Sequence, residues 1–356
     1  MKIRNVFFLQ KNFKKISLLR PQIFFIPCFL ILLLVFLTSC ANNNNFPSSP
    51  WVSKAVLPGT DWAEANSNAS FPPRFAHTSI VYNNKIWLIA GATASATCND
   101  VWYSTNGTNW SEVTASAAFP ARVSHTSLVY NNMMWVIAGF GSGGNLGFYN
   151  DVWYSTDGTN WSEATANAAF PARHGHASVV FGNKMWVIAG EGLILKNLIF
   201  SPTLCNDIWY STDGTNWSEA TANAAFLARV SHTSLVYDNK MWVIAGEGNN
   251  NSYYNDVWYS ADGTNWSEAT ANAAFPARYE NTSLVYDNMI WVIAGHSANN
   301  YNDAWYSTDG ANWTQATSNA AFPARHGHAS VVFGNKMWVV AGDGNGYLND
   351  VWDSPF

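Results

Sequence analysis

Residues 122–165 read RVSHTSLVYNNMMWVIAGFGSGGNLGFYNDVWYSTDGTNWSEAT, and every part of this stretch has the character of strand and turn. Residues 125–130 alternate small polar and apolar side chains and run into the polar turn Asn131-Asn132. Residues 133–138 then form a nearly continuous apolar run, as expected for a strand covered on both sheet faces, and Gly139 ends it. After a variable loop come a third strand at 151–155, a turn containing Asp157-Gly158, and a short fourth strand at 161–165. Asp-Gly between extended segments is a strong hairpin signal, and no 3.6-residue apolar periodicity long enough for a helix interrupts the pattern. The stretch therefore predicts a four-stranded antiparallel sheet.

The same pattern occurs six times. Its opening arginines are Arg74, Arg122, Arg173, Arg229, Arg278 and Arg325, at steps of 48, 51, 56, 49 and 47 residues, a period that signals stacked blades. Five copies carry three tryptophans each, such as Trp87, Trp102 and Trp110, and the last carries Trp338 and Trp352. A residue type fixed at the same points of every copy is read as blade-to-blade packing in preference to a sugar-stacking platform. The last copy stops after its third strand, at Trp352-Asp353-Ser354-Pro355-Phe356. The missing strand lies at the other end, where residues 59–66 align with residues 310–317. Joining the two would close a ring and hide sheet edges that otherwise invite aggregation.

With an Arg-x-x-His start, an apolar strand closed by Ala-Gly and an Asn-Asp-x-Trp-Tyr third strand, the unit resembles the kelch motif of β-propellers, over nearly all of residues 60–356. Ala stands where that family usually shows the first of two glycines. The resemblance implies an all-β, six-bladed kelch-type β-propeller, its last blade closed by the N-terminal strand, occupying residues 51–356 and expected to be monomeric.

Residues 1–39 read as an export signal: Lys2, Arg4, Lys11, Lys14, Lys15 and Arg20, then an apolar run over 23–37 too short for a comfortable membrane span. Leu37-Thr38-Ser39-Cys40 resembles the lipobox of bacterial lipoproteins, which implies diacylation of Cys40. The polar, Pro-containing stretch 40–50 then serves as a flexible tether. The expectation is an exported protein anchored to the cell envelope, at the outer membrane or cell surface in preference to the inner membrane. Without the signal, 12 basic residues face 23 acidic ones, a formal charge of −11, so nucleic acid is not expected as a partner. Cys28 lies in the signal; Cys98 and Cys205 lie in equivalent loops of the first and third copies, and whether they pair stays open.

In such blades the loops from strand two to strand three share a face with the links between blades, and that face varies. From the Gly to the Asn-Asp, these loops hold 7, 10, 15, 8, 6 and 6 residues. The longest, 191–205, includes Leu193, Ile194, Leu195, Leu198, Ile199 and Phe200, which either fold back over the channel mouth or form a recognition patch. The same face carries the six arginines with His77, His125, His176, His232 and His328, Asn281 breaking the series. These residues form either a cationic ring for an anionic ligand or, for the arginines, pairs with Asp100, Asp151, Asp207, Asp256, Asp303 and Asp350 inside each blade. His174-Gly-His176 and His326-Gly-His328 are possible metal pairs, but neither is expected to have an acidic residue beside it to complete a site, so no metal is expected. No nucleophile elbow, P-loop or paired-carboxylate motif is present, and no catalytic residue or cofactor is assigned. Residues 155–161 resemble the sialidase Asp-box but are one residue short. Two functions remain: a non-catalytic module binding a protein or glycan through the loop face, and a sugar mutarotase similar to kelch-type N-acetylneuraminate epimerases, favoured by the arginine ring.

Overall fold

The computed structural model describes residues 57–196 and 198–354, so the export signal, Cys28, Cys40, the 40–50 tether and Trp51 lie outside the described residues. Six antiparallel sheets account for nearly all of the rest, and the only helical element among the described residues is one turn of 3-10 helix, Asn249–Asn251. The second sheet is representative, with strands Thr126–Tyr130, Met133–Asn145, Phe148–Ser155 and Ser162–Thr165 hydrogen-bonded in chain order. The innermost strands of the six sheets contact one another in cyclic order, the sixth against the first, so the sheets are blades around a central channel. In the last blade, Ala329–Phe333, Lys336–Asp343 and Tyr347–Ser354 are completed by the N-terminal strand Ala63–Asn66, paired through Ala63 to Asp353 and Glu64 to Trp352. The ring is closed where the incomplete copies at the two ends predicted it.

The apolar core lies between blades. Each of six buried clusters joins neighbouring sheets, as where Trp87, Ile89 and Val101 of the first blade meet Met134, Val136 and Trp161 of the second. All three tryptophan positions have structural duties. The second-strand indole Trp135 donates to the Tyr130 carbonyl, the third-strand Trp153 to the Asp151 carboxylate, and the fourth-strand Trp161 to the Gly158 carbonyl. Trp161 also meets Phe119 edge to face at 5.0 Å, a geometry repeated with Phe170 and Trp217 and with Phe275 and Trp313.

The Asp-Gly turn is a contact between blades as well as a hairpin. Gly158 holds φ at +77°, its N–H donates to Ser155 Oγ at 2.9 Å, and a Cβ there would overlap the Trp87 indole of the preceding blade. Gly158→Ala therefore meets a left-handed backbone and overpacking together, and should cost about 2–4 kcal/mol. Urea denaturation measures this; a loss under about 0.5 kcal/mol would be within surface-substitution range and would refute the packing role.

One expectation needs correction and one open question is answered. The 191–205 segment is a β-hairpin, not a loop: Lys184–Lys196 and Ile199–Ser211 remain paired out to Lys196 and Ile199. Cys98 and Cys205, whose pairing the sequence leaves open, form no disulfide with one another.

Candidate functional site

Each repeat-opening arginine is 0% exposed and turned into its own blade. Arg173 is typical: Nη1 and Nη2 donate to the two Asp207 oxygens at 2.8 and 2.7 Å, Nη1 also to the Ala189 carbonyl, and Nε to the Pro171 carbonyl. Arg74, Arg122, Arg229, Arg278 and Arg325 hold Asp100, Asp151, Asp256, Asp303 and Asp350 in the same way. The Ala carbonyl is available because the Ala-Gly pair forms a bulge: Ala189 sits at φ +52°, and the strand register shifts between Ile188 and Gly190. Arginine, aspartate and Ala-Gly thus recur together because they form one buried unit. Of the two duties open to the arginines, the structure shows the in-blade pair, and four of the five N–H donors of each guanidinium are used there.

The histidines do line the channel. His77, His125, His176, His232 and His328, with Asn281 in the fifth blade, ring a cavity of about 120 Å³ and are 4–6% exposed. Burial, then the nearby arginine charge, pushes His77 and His232 down to about 3 and the other three well below the ordinary range, so the imidazoles are neutral at pH 7. Nε2 of His125, His176 and His328 meets Oγ1 of Thr78, Thr126 and Thr282 in the preceding blade at 2.9–3.0 Å. In the blades preceding His77 and His232 the equivalent threonine position holds Ala329 and Ala177, which have no hydroxyl. The Val340 and Ile188 carbonyls approach these two rings, but no nitrogen of either reaches hydrogen-bond geometry. A second cavity of about 210 Å³ continues along the channel between threonine and serine side chains.

Above the histidines a closed crown of backbone hydrogen bonds constricts the channel. Ala76 donates to Gly327, Ser124 to Ala76, Gly175 to Ser124, Ser231 to Gly175, Glu280 to Ser231 and Gly327 to Glu280, at 2.7–3.2 Å. All six crown residues hold φ between +50° and +56°, which favours glycine and tolerates small side chains. Glu280 is the exception. Burial, then Glu247 and Asp343, raises its carboxyl to about 7, and His326 Nε2 lies 3.6 Å from Glu280 Oε2.

Around the crown, the residue after each Ala-Gly bridges the residue after the arginine of its own blade: Glu191 pairs with His174, Glu247 with Val230, His296 with Tyr279 and Asp343 with His326. His174 Nε2 lies 3.0 Å from Glu191 Oε2, and this hydrogen bond holds the Glu191 carboxyl below its ordinary value. Asn300 Oδ1 joins the imidazoles of His296 and His326 at 2.6 and 2.9 Å. The expectation that neither His-x-His pair has an acidic neighbour is therefore corrected. The acids are remote in sequence and adjacent in space. Among the described residues, no three His, Cys, Asp or Glu side chains converge to hold a metal. Blades one and two complete the rim with Phe75, Ala92, Val123 and Phe140, so one side of the mouth is apolar and the other acidic.

The 191–205 hairpin divides along its length. Leu193 is buried and its N–H donates to the Ala172 carbonyl, while Ile194 and Pro171 line the same hollow. Beyond them Leu195, Leu198, Ile199 and Phe200 are 54, 93, 69 and 46% exposed. Leu146, 65% exposed, and Phe140 lie on the neighbouring second-blade hairpin. The base of the hairpin packs on the link between blades, and its tip projects.

A family model, the Kelch-repeats domain of KLHDC2, KLHL20 and DRC7, matches residues 57–190 and 198–353. The chain belongs to this kelch-repeat family. A 116-residue stretch is 32% identical to the leucine-zipper-like transcriptional regulator 1 homolog of Drosophila melanogaster; it covers 31% of this chain and 12% of that protein.

Proposed function

We infer that the protein is a non-catalytic binding module that takes a protein partner on the face bearing the long hairpins, and that a lipid on Cys40 tethers it to a membrane of the cell envelope. The observation that carries the reading is the projecting tip. Four large apolar side chains are left 46–93% exposed, and burying one fully is worth about 1.5–3 kcal/mol. A protein interface supplies that burial and a rigid propeller supplies the platform. The mutarotase reading rested on free arginines, and the guanidinium groups are locked within the blades.

Cross-linking on intact cells, followed by affinity capture, tests the reading. Leu198→Asp with Ile199→Asp should reduce the captured partner at least tenfold, with thermal unfolding close to wild type because both residues are exposed. Undiminished capture by the double variant rejects the hairpin as the recognition element. Cys40→Ala should move the protein from the membrane to the soluble fraction, and retention on the membrane would reject the lipid tether.

A further inference from the structure

The channel mouth carries carboxylates without cations. Among the described residues, no lysine or arginine lies within 4 Å of a carboxylate of Glu247, Glu280 or Asp343, and the one ion-pair partner within that range is His326, at Glu280. Burial holds His326 below its ordinary value, which leaves the imidazole a poor counter-charge at neutral pH. Glu280 is placed on the crown despite a left-handed backbone that favours small residues, and it overhangs the cavity inside the ring.

Independent of these acids, the cavity wall holds polar groups with nothing to bind. Asn281 is 6% exposed, stands where the other blades place histidine, and neither Oδ1 nor Nδ2 has a partner. His77 and His232 line the same space with both ring nitrogens short of a hydrogen bond. Buried polar groups are ordinarily satisfied, so this wall is complementary to a polar occupant. An anion would find no free cationic donor there, since the six guanidinium groups are committed to aspartates. The Glu280 carboxylate, the Asn281 amide oxygen and one lone pair on each neutral imidazole are acceptors on residues that line the same cavity, and they suit an ammonium group, which has three donors and no acceptor; the amide NH2 and the imidazole N–H are the donors of that wall. Tyr253 and Tyr279, stacked at 5.1 Å beside His296, add aromatic faces at the rim.

We propose that the cavity bounded by Glu280, Asn281, His77 and His232 receives a single ammonium group, the side chain of a lysine presented by the protein partner. The proposal rests on the protein-binding reading above and gives that partner a chemical requirement: a lysine within reach of the channel axis when its apolar surface meets the hairpin. The lysine ammonium supplies the charge the mouth lacks, and its aliphatic stem passes the apolar half of the rim.

The test uses Nα-acetyl-lysine methylamide, with the norleucine and glutamate analogues as controls, titrated calorimetrically into the full chain at mildly alkaline pH and low ionic strength. Wild type should bind the lysine amide at least tenfold more tightly than either control. Glu280→Gln should lose that preference, and it should unfold at no lower a temperature than wild type because it removes a charge that is disfavoured by burial and repelled by Glu247 and Asp343. Equal affinity for the lysine and norleucine amides, or a full preference retained by Glu280→Gln, overturns the proposal. The Leu198→Asp, Ile199→Asp variant separates the two readings. Intact lysine binding with unchanged partner capture in that variant rejects the hairpin alone; absent lysine binding in wild type with hairpin-dependent capture rejects the ammonium site alone.

Discussion

Deleting residues 51–66 should lower the melting temperature by about 10–20 °C and leave a chain prone to aggregation. The removed segment includes the outer strand of the last blade, so the loss is larger than that of a frayed terminus. Ala63–Asn66 pairs along Tyr347–Ser354, and Gly59 N–H donates to Ser354 Oγ at 2.8 Å. Trp62 is 6% exposed and meets Phe322 edge to face at 5.0 Å. Gly59 also lies against Trp291 of the fifth blade, as Gly158 lies against Trp87. A buried tryptophan truncated to alanine costs about 3–5 kcal/mol, and the lost ladder and turn contacts add about 1–2 kcal/mol. Against a typical total of 5–15 kcal/mol, that is a large fraction, and each kcal/mol corresponds to about 2–4 °C in a domain of this size class. The exposed edge of Tyr347–Ser354 then offers unpaired backbone groups to other chains. Differential scanning calorimetry measures the effect, with Trp62→Ala as an intermediate case. A deletion that melts within about 3 °C of wild type would show that closure contributes little stability.

The blade architecture was legible in the sequence because every copy repeats the same contacts, so each structural requirement appears six times as a residue type. The closure was legible because the two ends of the chain are incomplete in complementary ways. Pairing beyond the regular blade was harder to read. Gly190, Gly192 and Pro202 resemble loop residues, yet the antiparallel ladder runs through them to Lys196 and Ile199. Charge was read correctly by residue type and incompletely by state. The sequence shows an arginine and an aspartate separated by 34 residues at Arg173 and Asp207, and two duties fit that pattern until bidentate geometry decides between them. The histidines were placed on the channel, but their neutrality comes from burial and the arginine behind them, neither of which is a local sequence feature. Glu280 and the carboxylates around it do not stand out in the sequence, because they occur in single copies and are brought together only by the closed ring. The usable signal was the set of differences among copies: the two residues after each arginine and the one after each Ala-Gly, where glutamate, aspartate, tyrosine and histidine replace small or apolar residues.

Replacing Arg173 alone by leucine should cost about 3–5 kcal/mol, and replacing Arg173 and Asp207 together by leucines should cost less than the sum of the single changes. The single change strands the Asp207 carboxylate in a site where Trp209 Nε1–H, at 2.7 Å, is its main remaining side-chain donor, and it removes the donors that hold the Ala189 and Pro171 carbonyls. In the double variant no charge is left buried, so the desolvation cost that dominates the single changes disappears. The same coupling sets a pH response. Burial alone would raise the Asp207 carboxyl, but hydrogen bonds from Arg173 and its charge override this and hold it below the ordinary value. A depressed acid contributes stability above its unfolded pKa, and that contribution is lost as pH falls through the folded value. Acidification below about pH 4 should therefore narrow the difference between wild type and the double variant. Urea titrations of the four proteins give the coupling energy directly. The blade-centred account also requires the loss to recur: Arg74→Leu, Arg122→Leu, Arg229→Leu, Arg278→Leu and Arg325→Leu should each destabilise by a similar amount, because all six guanidinium groups are 0% exposed and paired alike. Arginines that served a ligand would behave differently, with one or two losing binding while stability held. Strictly additive single and double changes at Arg173 and Asp207, or near-wild-type stability at most of the six positions, would refute the buried ion pair as the common anchor of the blades.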